Sequence, residues 1–238
     1  MNKSHLLPPR IELFGYGICP YVMRVRYVLA LLDLDHHYVE LDIYKAKPAA
    51  LLRYNPLGRV PTLVVDNDSI CDSTVIALWL AQVYREYKLL PVDAWSQAKV
   101  MNDMAAIDFV HSKISTLMGA ADQAAFTASL DALSESLQAI LPVLNALNSN
   151  QVSLTHVWVM PLALLLKTLD QLFDGQLSDA IAAIRSLPNL QLAAQSPSAK
   201  FSALLPVDYA QQLSVMLSKR SRYYAELLDI TMQKECAV

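Results

Sequence analysis

The sequence is poor in the residues that most often announce a specialised protein. Only three of its 238 residues are cysteine, at Cys19, Cys71 and Cys236. Their number is odd and their spacing wide, which fits neither a disulfide framework nor a set of metal ligands. Sparse cysteine is compatible with a reducing compartment, and a cytoplasmic location is the expectation. An excess of charge of one sign is also lacking: 19 Lys and Arg stand against 22 Asp and Glu, a formal net charge of −3. No basic tract offers itself to nucleic acid, and the densest cluster, Lys219-Arg220-Ser221-Arg222, reads as a solvated helix face. Long apolar runs are missing too. The run 157–166 is interrupted by Pro161 and ended by Lys167, well short of the ~20 residues a membrane-crossing helix needs. It reads as a buried core helix. Residues 1–9 lack the apolar core of a signal peptide, so stable membrane insertion is not expected. His36 and His37 fall in a turn with no cysteine or carboxylate at ligand spacing, and no metal site is expected. There is no internal repeat and no low-complexity tract.

What remains is an apolar, ordered chain: 54% hydrophobic and 17% charged residues, with enough length for two domains. Its most informative stretch is 11–34. An apolar strand, Ile11-Glu12-Leu13-Phe14, runs into Gly15 and Gly17, then Cys19-Pro20, then the apolar-periodic run Tyr21-Val22-Met23-Arg24-Val25-Arg26 and onward. Proline is favoured at the first position of a helix, where a missing N–H costs nothing. That puts Cys19 at the N-cap, with its sulfur toward the unpaired amides of the first turn. Those amides and the helix dipole favour a thiolate, so the thiol pKa is expected to fall. Along the helix Val22, Val25, Val28, Leu29 and Leu32 share one side, with Arg24 and Arg26 expected off it. Position 22 is Val22, so Cys19 has no resolving cysteine at the usual distance and its chemistry is monothiol.

The coarse order follows from periodicity and turn chemistry. Strand 11–14 is followed by helix 20–34, an alternating strand 37–43 and a short helix 49–54. Asn55-Pro56-Leu57-Gly58 is a turn, and 59–65 is a strand with a proline near its start. Asp66-Asn67-Asp68-Ser69 is hairpin chemistry leading to a strand that includes Ile70-Cys71. Asp72-Ser73-Thr74 caps a helix over 75–84. The order is β-α-β-α-β-β-α. After Pro91 the strands stop and the chain turns rich in alanine and leucine. Long helices are expected over 95–118, 127–147 (with Pro142 near its end), 154–173, 178–186 and 208–232. Two domains are therefore expected, 1–87 and 93–238, joined by 88–92.

Three blocks together resemble the cysteine-type members of the glutathione transferase superfamily: omega-like transferases, dehydroascorbate reductases and two-domain bacterial glutaredoxins. Cys19-Pro20-Tyr21-Val22-Met23-Arg24-Val25-Arg26 is similar to their Cys-Pro-aromatic-x-x-Arg-x-Arg block. Lys47-Pro48 and Asn55-Pro56-Leu57-Gly58-Arg59-Val60-Pro61-Thr62-Leu63 resemble their Lys-Pro and Asn-Pro-x-Gly-x-Val-Pro-x-Leu block. Asp72-Ser73 stands where the family has an acid followed by serine. The resemblance implies an α/β thioredoxin-like N-terminal domain and an all-helical C-terminal domain. It implies glutathione as co-substrate, held by Tyr21, Lys47, Arg59, Val60, Pro61, Asp72 and Ser73, with Cys19 as the catalytic group.

Each implied role has a physical basis. Pro61 resembles the family's cis-proline, which turns the Val60 main chain outward to pair with an extended peptide. Ser73 and the amides of its helix suit the γ-glutamyl carboxylate. Asp72 suits the α-amine, although omega-like members carry the longer glutamate. Lys47 matches a position that pairs with the glycyl carboxylate. The second substrate, a small electrophile or mixed disulfide, is expected in the cleft between domains. The implied wall is the first long helix, with Met101, Met104, Ala105, Asp108 and His111. A homodimer is plausible for the family. Tyr16 would be the activating phenol of a tyrosine-type transferase, but the Cys-Pro start fits the cysteine type better. Cys71, one residue before Asp72, is expected to pack as a small hydrophobe, and Cys236 to be incidental.

The C-terminal resemblance is weaker. Ser153-Leu154-Thr155-His156 stands where the family has Ser/Thr-x-x-Asp, so the acid of the capping box is replaced by an imidazole. That ring can serve only with its nearer nitrogen unprotonated and turned inward. Pro188-Asn189-Leu190 resembles a family turn. The competing class is a non-enzymatic regulator or interaction protein on the same fold, with or without glutathione binding. The presence of Cys19, Lys47, Val60-Pro61 and Asp72-Ser73 favours an enzyme.

Overall fold

A computed structural model describes residues 10–147, 151–185 and 197–235. The chain divides into two compact units, Met1–Lys88 and Leu89–Val238. The first unit holds strands β1 (Ile11–Gly15), β2 (His37–Glu40), β3 (Thr62–Val65) and β4 (Asp68–Cys71) with helices α1 (Pro20–Leu31), α2 (Ala49–Tyr54) and α3 (Ser73–Val83). The sheet order is β2-β1-β3-β4. β1 and β2 are parallel, β1 and β3 antiparallel, and β3 and β4 form an antiparallel hairpin. Alternation along β1 divides its side chains between two faces. Leu13 is fully buried, as are Val22, Val25, Val28 and Leu29 of α1 and Ile76 and Leu80 of α3; α1 and α3 pack against each other. Phe14 joins Leu41, Leu51 and Val64 in a second cluster, against which Tyr16, Val39, Tyr54 and Val60 pack.

The second unit is helical throughout its described residues: α4 (Ala94–Leu117), α5 (Gln123–Ala139), α6 (Leu141–Asn145), α7 (Leu154–Leu172), α8 (Ser178–Arg185), α9 (Pro197–Ser202), α10 (Tyr209–Arg220) and α11 (Arg222–Glu235). Its core includes Trp158, Phe126, Phe173 and Tyr224, all with almost no exposed surface. Phe126 and Phe173 meet edge to face at 5.4 Å, and Phe173 stacks on Tyr224 at 5.3 Å, both favoured geometries for ring pairs. Among the described residues, no helix is long and apolar enough to cross a membrane.

Several expected boundaries moved, each for a physical reason. α1 stops at Leu31, because Asp33 takes a left-handed φ of +51° and Leu34 N–H closes back on Leu29 O. β2 ends at Glu40, where Asp42 accepts from the Tyr44 amide and starts a turn. β3 begins only at Thr62, after the cis Val60–Pro61 bond. The hairpin turn is the tighter Asp66-Asn67, with Asp68 and Ser69 already in β4. The helix expected over 127–147 is two: Pro142 has no N–H to continue the ladder, and the chain resets at Ile140. The helix expected over 208–232 is also two. Ser221 is extended (φ −146°, ψ 136°) and its Oγ donates to Ala120 O at 2.8 Å. The Pro188-Asn189-Leu190 turn and Cys236 lie outside the described residues.

Two side-chain expectations are corrected. Arg24 is not off the buried side of α1; it has no exposed surface. His156 does complete the capping box of α7. Its Nδ1 accepts from the Ser153 amide at 3.1 Å and lies 3.0 Å from Ser153 Oγ. An imidazole can accept there only through an unprotonated Nδ1, so this contact fixes the tautomer.

Candidate functional site

The register of the sheet gathers the candidate residues at one end. Gly15 at the close of β1 pairs with Glu40 at the close of β2, Phe14 with Thr62 at the start of β3, and Thr62 with Cys71 at the close of β4. The segments leaving that end are therefore Tyr16–Cys19, the cis Val60–Pro61 bond and Asp72–Ser73.

Cys19 is the N-cap of α1, with φ −76° and ψ 119°. Its amide donates to Tyr16 O at 3.0 Å, and its carbonyl accepts from Met23 N at 3.0 Å. Gly15 permits this close join. A Cβ there would lie 2.4 Å from Val22 Cγ1 and 3.3 Å from Tyr38 Cε2, so any other residue would force Val22 to give way. The sulfur makes no full capping hydrogen bond. The amides of Val22 and Tyr21 and the charge of Arg24 do act on it, and all three pull the pKa down. The larger effect is burial. Although Cys19 keeps some exposed surface, the dense surroundings of its sulfur push the thiol above the ordinary cysteine value. The expected fall in pKa is thus reversed: the helix terminus contributes as anticipated, but desolvation outweighs it.

Around Cys19 the structure joins groups that the sequence treated separately. The Arg24 guanidinium lies 4.9 Å from the centre of the Tyr21 ring, which is itself exposed. Arg26 sits 4.3 Å from the Tyr38 ring centre. Burial and the neighbouring Glu40 carboxylate push the Tyr38 phenol up. Lys47 Nζ stands 4.3 Å from the centre of the Tyr16 ring, a cation–π contact. The Lys47 stem packs on Gly58, where a Cβ would lie 3.1 Å from Lys47 Cγ and where φ is +59°. Tyr16 is thereby a partner of Lys47.

Arg59 is exposed, and its carbonyl accepts from Asn55 Nδ2 at 3.0 Å and Thr62 Oγ1 at 2.8 Å. Buried Asn55 thus braces the segment ahead of the cis Val60–Pro61 bond. Asp72 caps α3, its Oδ1 accepting from Thr74 N at 2.8 Å and Val75 N at 3.3 Å. Its φ of +79° is a conformation L-residues rarely adopt. Ser73 follows, nearly buried, in the first turn. Cys71 is exposed and does not pack as a small hydrophobe. Along the stripe expected on α4, Met104 and His111 are buried, whereas Met101 and Ala105 are exposed. No cluster of metal-binding side chains occurs among the described residues.

Residues 13–88 match the family model of the glutathione S-transferase N-terminal domain. The match is to the N-terminal domain and stops where the helical unit begins. A zeta-class glutathione S-transferase of Euphorbia esula is 36% identical over 122 residues, covering 45% of this chain and 54% of that protein. Glutathione S-transferase 1 of Dianthus caryophyllus is 34% identical over 114 residues, covering 47% and 50%. The chain spans about half the length of these curated relatives. Rice GST1, solved in complex with glutathione, superposes with a TM-score of 0.76 at 18% identity, covering 90% of this chain and 99% of that one. Transferase Omega 3C of Trametes versicolor gives 0.69 at 19%, covering 83% and 90%. At such identities the likeness is one of fold: a thioredoxin-like N-terminal part and a helical C-terminal part, as in those two structures.

Three features of the site were not found from the sequence: the burial of Arg24, the Lys47–Tyr16 contact, and a bond from Glu40 to the Cys19 loop. Glu40 alternates with apolar residues in its strand like any solvated position, so only its partner sets it apart.

Proposed function

We propose that the chain is a glutathione-dependent transferase of omega-like type in which Cys19 works as a monothiol nucleophile. The observation that carries this reading is the convergence of the Cys19 N-cap, the cis Val60–Pro61 bond and the Asp72–Ser73 helix start at one sheet end. The free main chain of Val60 suits the cysteinyl part of glutathione. Ser73 and the first amides of α3 suit its γ-glutamyl carboxylate, and Asp72 its α-amine. Lys47, whose stem packs on Gly58 next to Arg59, suits the glycyl end.

In thiol transfer, Cys19 loses its proton and attacks the glutathione sulfur of a mixed disulfide. The new bond joins Cys19 Sγ to glutathione, and the substrate leaves as a thiolate that takes up a proton. A second glutathione thiolate then attacks the glutathione sulfur of that adduct. It leaves as oxidised glutathione and returns Cys19 as thiolate. Arg24, charged and buried close by, favours the thiolate.

A second reading draws on the raised Cys19 pKa. A thiol kept neutral can donate its hydrogen to the thiolate of bound glutathione, which then attacks a small electrophile and forms a thioether. The test separates the two. After incubation with oxidised glutathione, intact mass and peptide mapping are expected to show one glutathione adduct, on Cys19. A Cys19→Ser protein should lose thiol transfer. If it keeps full conjugating activity with a model electrophile, the donor reading stands for that reaction. Undiminished thiol transfer in Cys19→Ser would sink the nucleophile.

A further inference from the structure

We propose that Glu40 is a positioning residue for Cys19: its carboxylate holds the Tyr16–Gly17 peptide in the orientation that fixes the Cys19 amide and the start of α1. The geometry is that of a single peptide plane gripped from both sides. Its N–H, from Gly17, donates to Glu40 Oε1 at 2.8 Å. Its C=O, from Tyr16, accepts from the Cys19 amide at 3.0 Å. A peptide group is rigid, so turning one end turns the other. Were the Gly17 N–H released, Tyr16 O would be free to swing away and the Cys19 amide would lose its acceptor.

The clasp is reinforced by its surroundings. The Leu41 amide, next to Glu40, donates to Gly15 O at 2.8 Å, so the end of β2 holds the loop at two points. A hydrogen bond to a carboxylate is shorter and stronger than one between neutral groups. Glu40 lies beside Tyr38, and Arg26 sits 4.3 Å from the Tyr38 ring centre. Tyr38 in turn stands 3.3 Å from where a Gly15 Cβ would be. The charged and titratable groups around the loop are therefore Glu40, Tyr38, Arg26, Arg24 and Lys47, with Tyr16 and Cys19 of the loop itself. The sequence explains why a side chain must do this work. Gly15 lets α1 approach the strand, and Gly17 brings no side chain of its own to hold its peptide.

The inference takes its catalytic meaning from the reading of Cys19 as the reacting thiol, but its test does not depend on glutathione. Three variants of the full chain are compared: Glu40→Ala, which removes the acceptor; Glu40→Asp, which keeps the charge but is one methylene too short; and Glu40→Gln, which keeps the acceptor without the charge. Two readouts are taken, amide hydrogen exchange over residues 16–23 and the pH profile of Cys19 alkylation by iodoacetamide, with exposed Cys71 as the internal reference. Glu40→Ala and Glu40→Asp are expected to speed exchange at Gly17 and Cys19 about tenfold. They are also expected to move the Cys19 profile to lower pH, as loosened packing lets water reach the sulfur. Glu40→Gln is expected to retain wild-type behaviour on both. Unchanged exchange and profile in Glu40→Ala would overturn the proposal, as would a Glu40→Gln protein altered as much as Glu40→Ala, since charge and not the bond would then be responsible. Should Glu40→Ala fail to fold, Glu40→Asp against Glu40→Gln makes the same comparison. Absence of a glutathione adduct on Cys19 would sink the proposed function and leave these results standing.

Discussion

The long helices of the second unit and the first helix of the other start differently. In Leu89–Val238, α4 and α5 open on Asp93 and Asp122, whose carboxylates accept from Ser96 N and Ala125 N at 2.8 Å each. α7 opens on Ser153 with the His156 ring closing the box. In Met1–Lys88, α1 opens on Cys19 and α2 on Pro48, and neither side chain makes a capping hydrogen bond. α3 does have a capping aspartate, but Asp72 holds it at a φ of +79°. An aspartate or serine cap is worth about 1 kcal/mol, so the first unit leaves stability unclaimed at the start of α1. Its other departures, the cis Val60–Pro61 bond and buried Arg24, belong with the segments around Cys19. Uncapped starts also occur in the second unit, at Ile140 of α6 and Asp208 of α10, but only at α1 does the uncapped residue coincide with a candidate reacting group.

That contrast can be broken at several points. Trp158→Ala, in the regular unit, removes the largest fully buried side chain and should cost about 3–5 kcal/mol; urea unfolding measures it, and a loss near zero would deny that this core carries the second unit. Cys19→Ala should leave the urea midpoint close to wild type while thiol transfer falls by about two orders of magnitude or more. A large stability loss with activity kept would reverse the assignment of roles. Gly15→Ala should cost about 1–3 kcal/mol, because Val22 must give way beneath the new methyl. Asp122→Ala should cost about 1 kcal/mol in the same assay.

The smallest effect concerns pH. Burial raises the Cys19 thiol, and also the Tyr27 and Tyr38 phenols of the first unit and the Tyr224 phenol of the second. A folded pKa above the unfolded one means that the neutral form is favoured by folding. The stability it brings is intact below the unfolded pKa and is lost as pH climbs toward the folded one. The loss from Cys19 should begin near the ordinary thiol value, about 8.5, and that from the phenols near about 10. Urea midpoints of wild type should thus decline earlier than those of Cys19→Ala; superimposable curves would mean that the thiol is not desolvated. Iodoacetamide should label Cys19 slowly at neutral pH and faster as pH rises, and Arg24→Met should slow it further at any given pH.

Much of the first unit was legible because its signals are local. The Pro20 start of α1, the Asn55–Gly58 turn and the Asp72 cap each depend on a few adjacent residues, whose backbone preferences fix where an element begins. The ends were less legible. The break at Ser221 exists because its hydroxyl reaches Ala120, 101 positions away in sequence, and no local pattern announces such a partner. The exposure of Cys71 likewise depended on what the fold leaves uncovered.

Residue order alone places a cysteine at the head of a helix, directly before a proline and after a glycine-rich join to a strand. It also sets a cis-proline candidate and an Asp-Ser helix start to follow in order. Only the tertiary structure decided what kind of thiol Cys19 is. Its helix amides and Arg24 pull one way and its burial the other, and burial wins. Caps and periodicity act over a few residues and can be read along the chain. Desolvation, the seating of Arg24 and the grip of Glu40 on Gly17 are set by segments that meet only when the sheet forms.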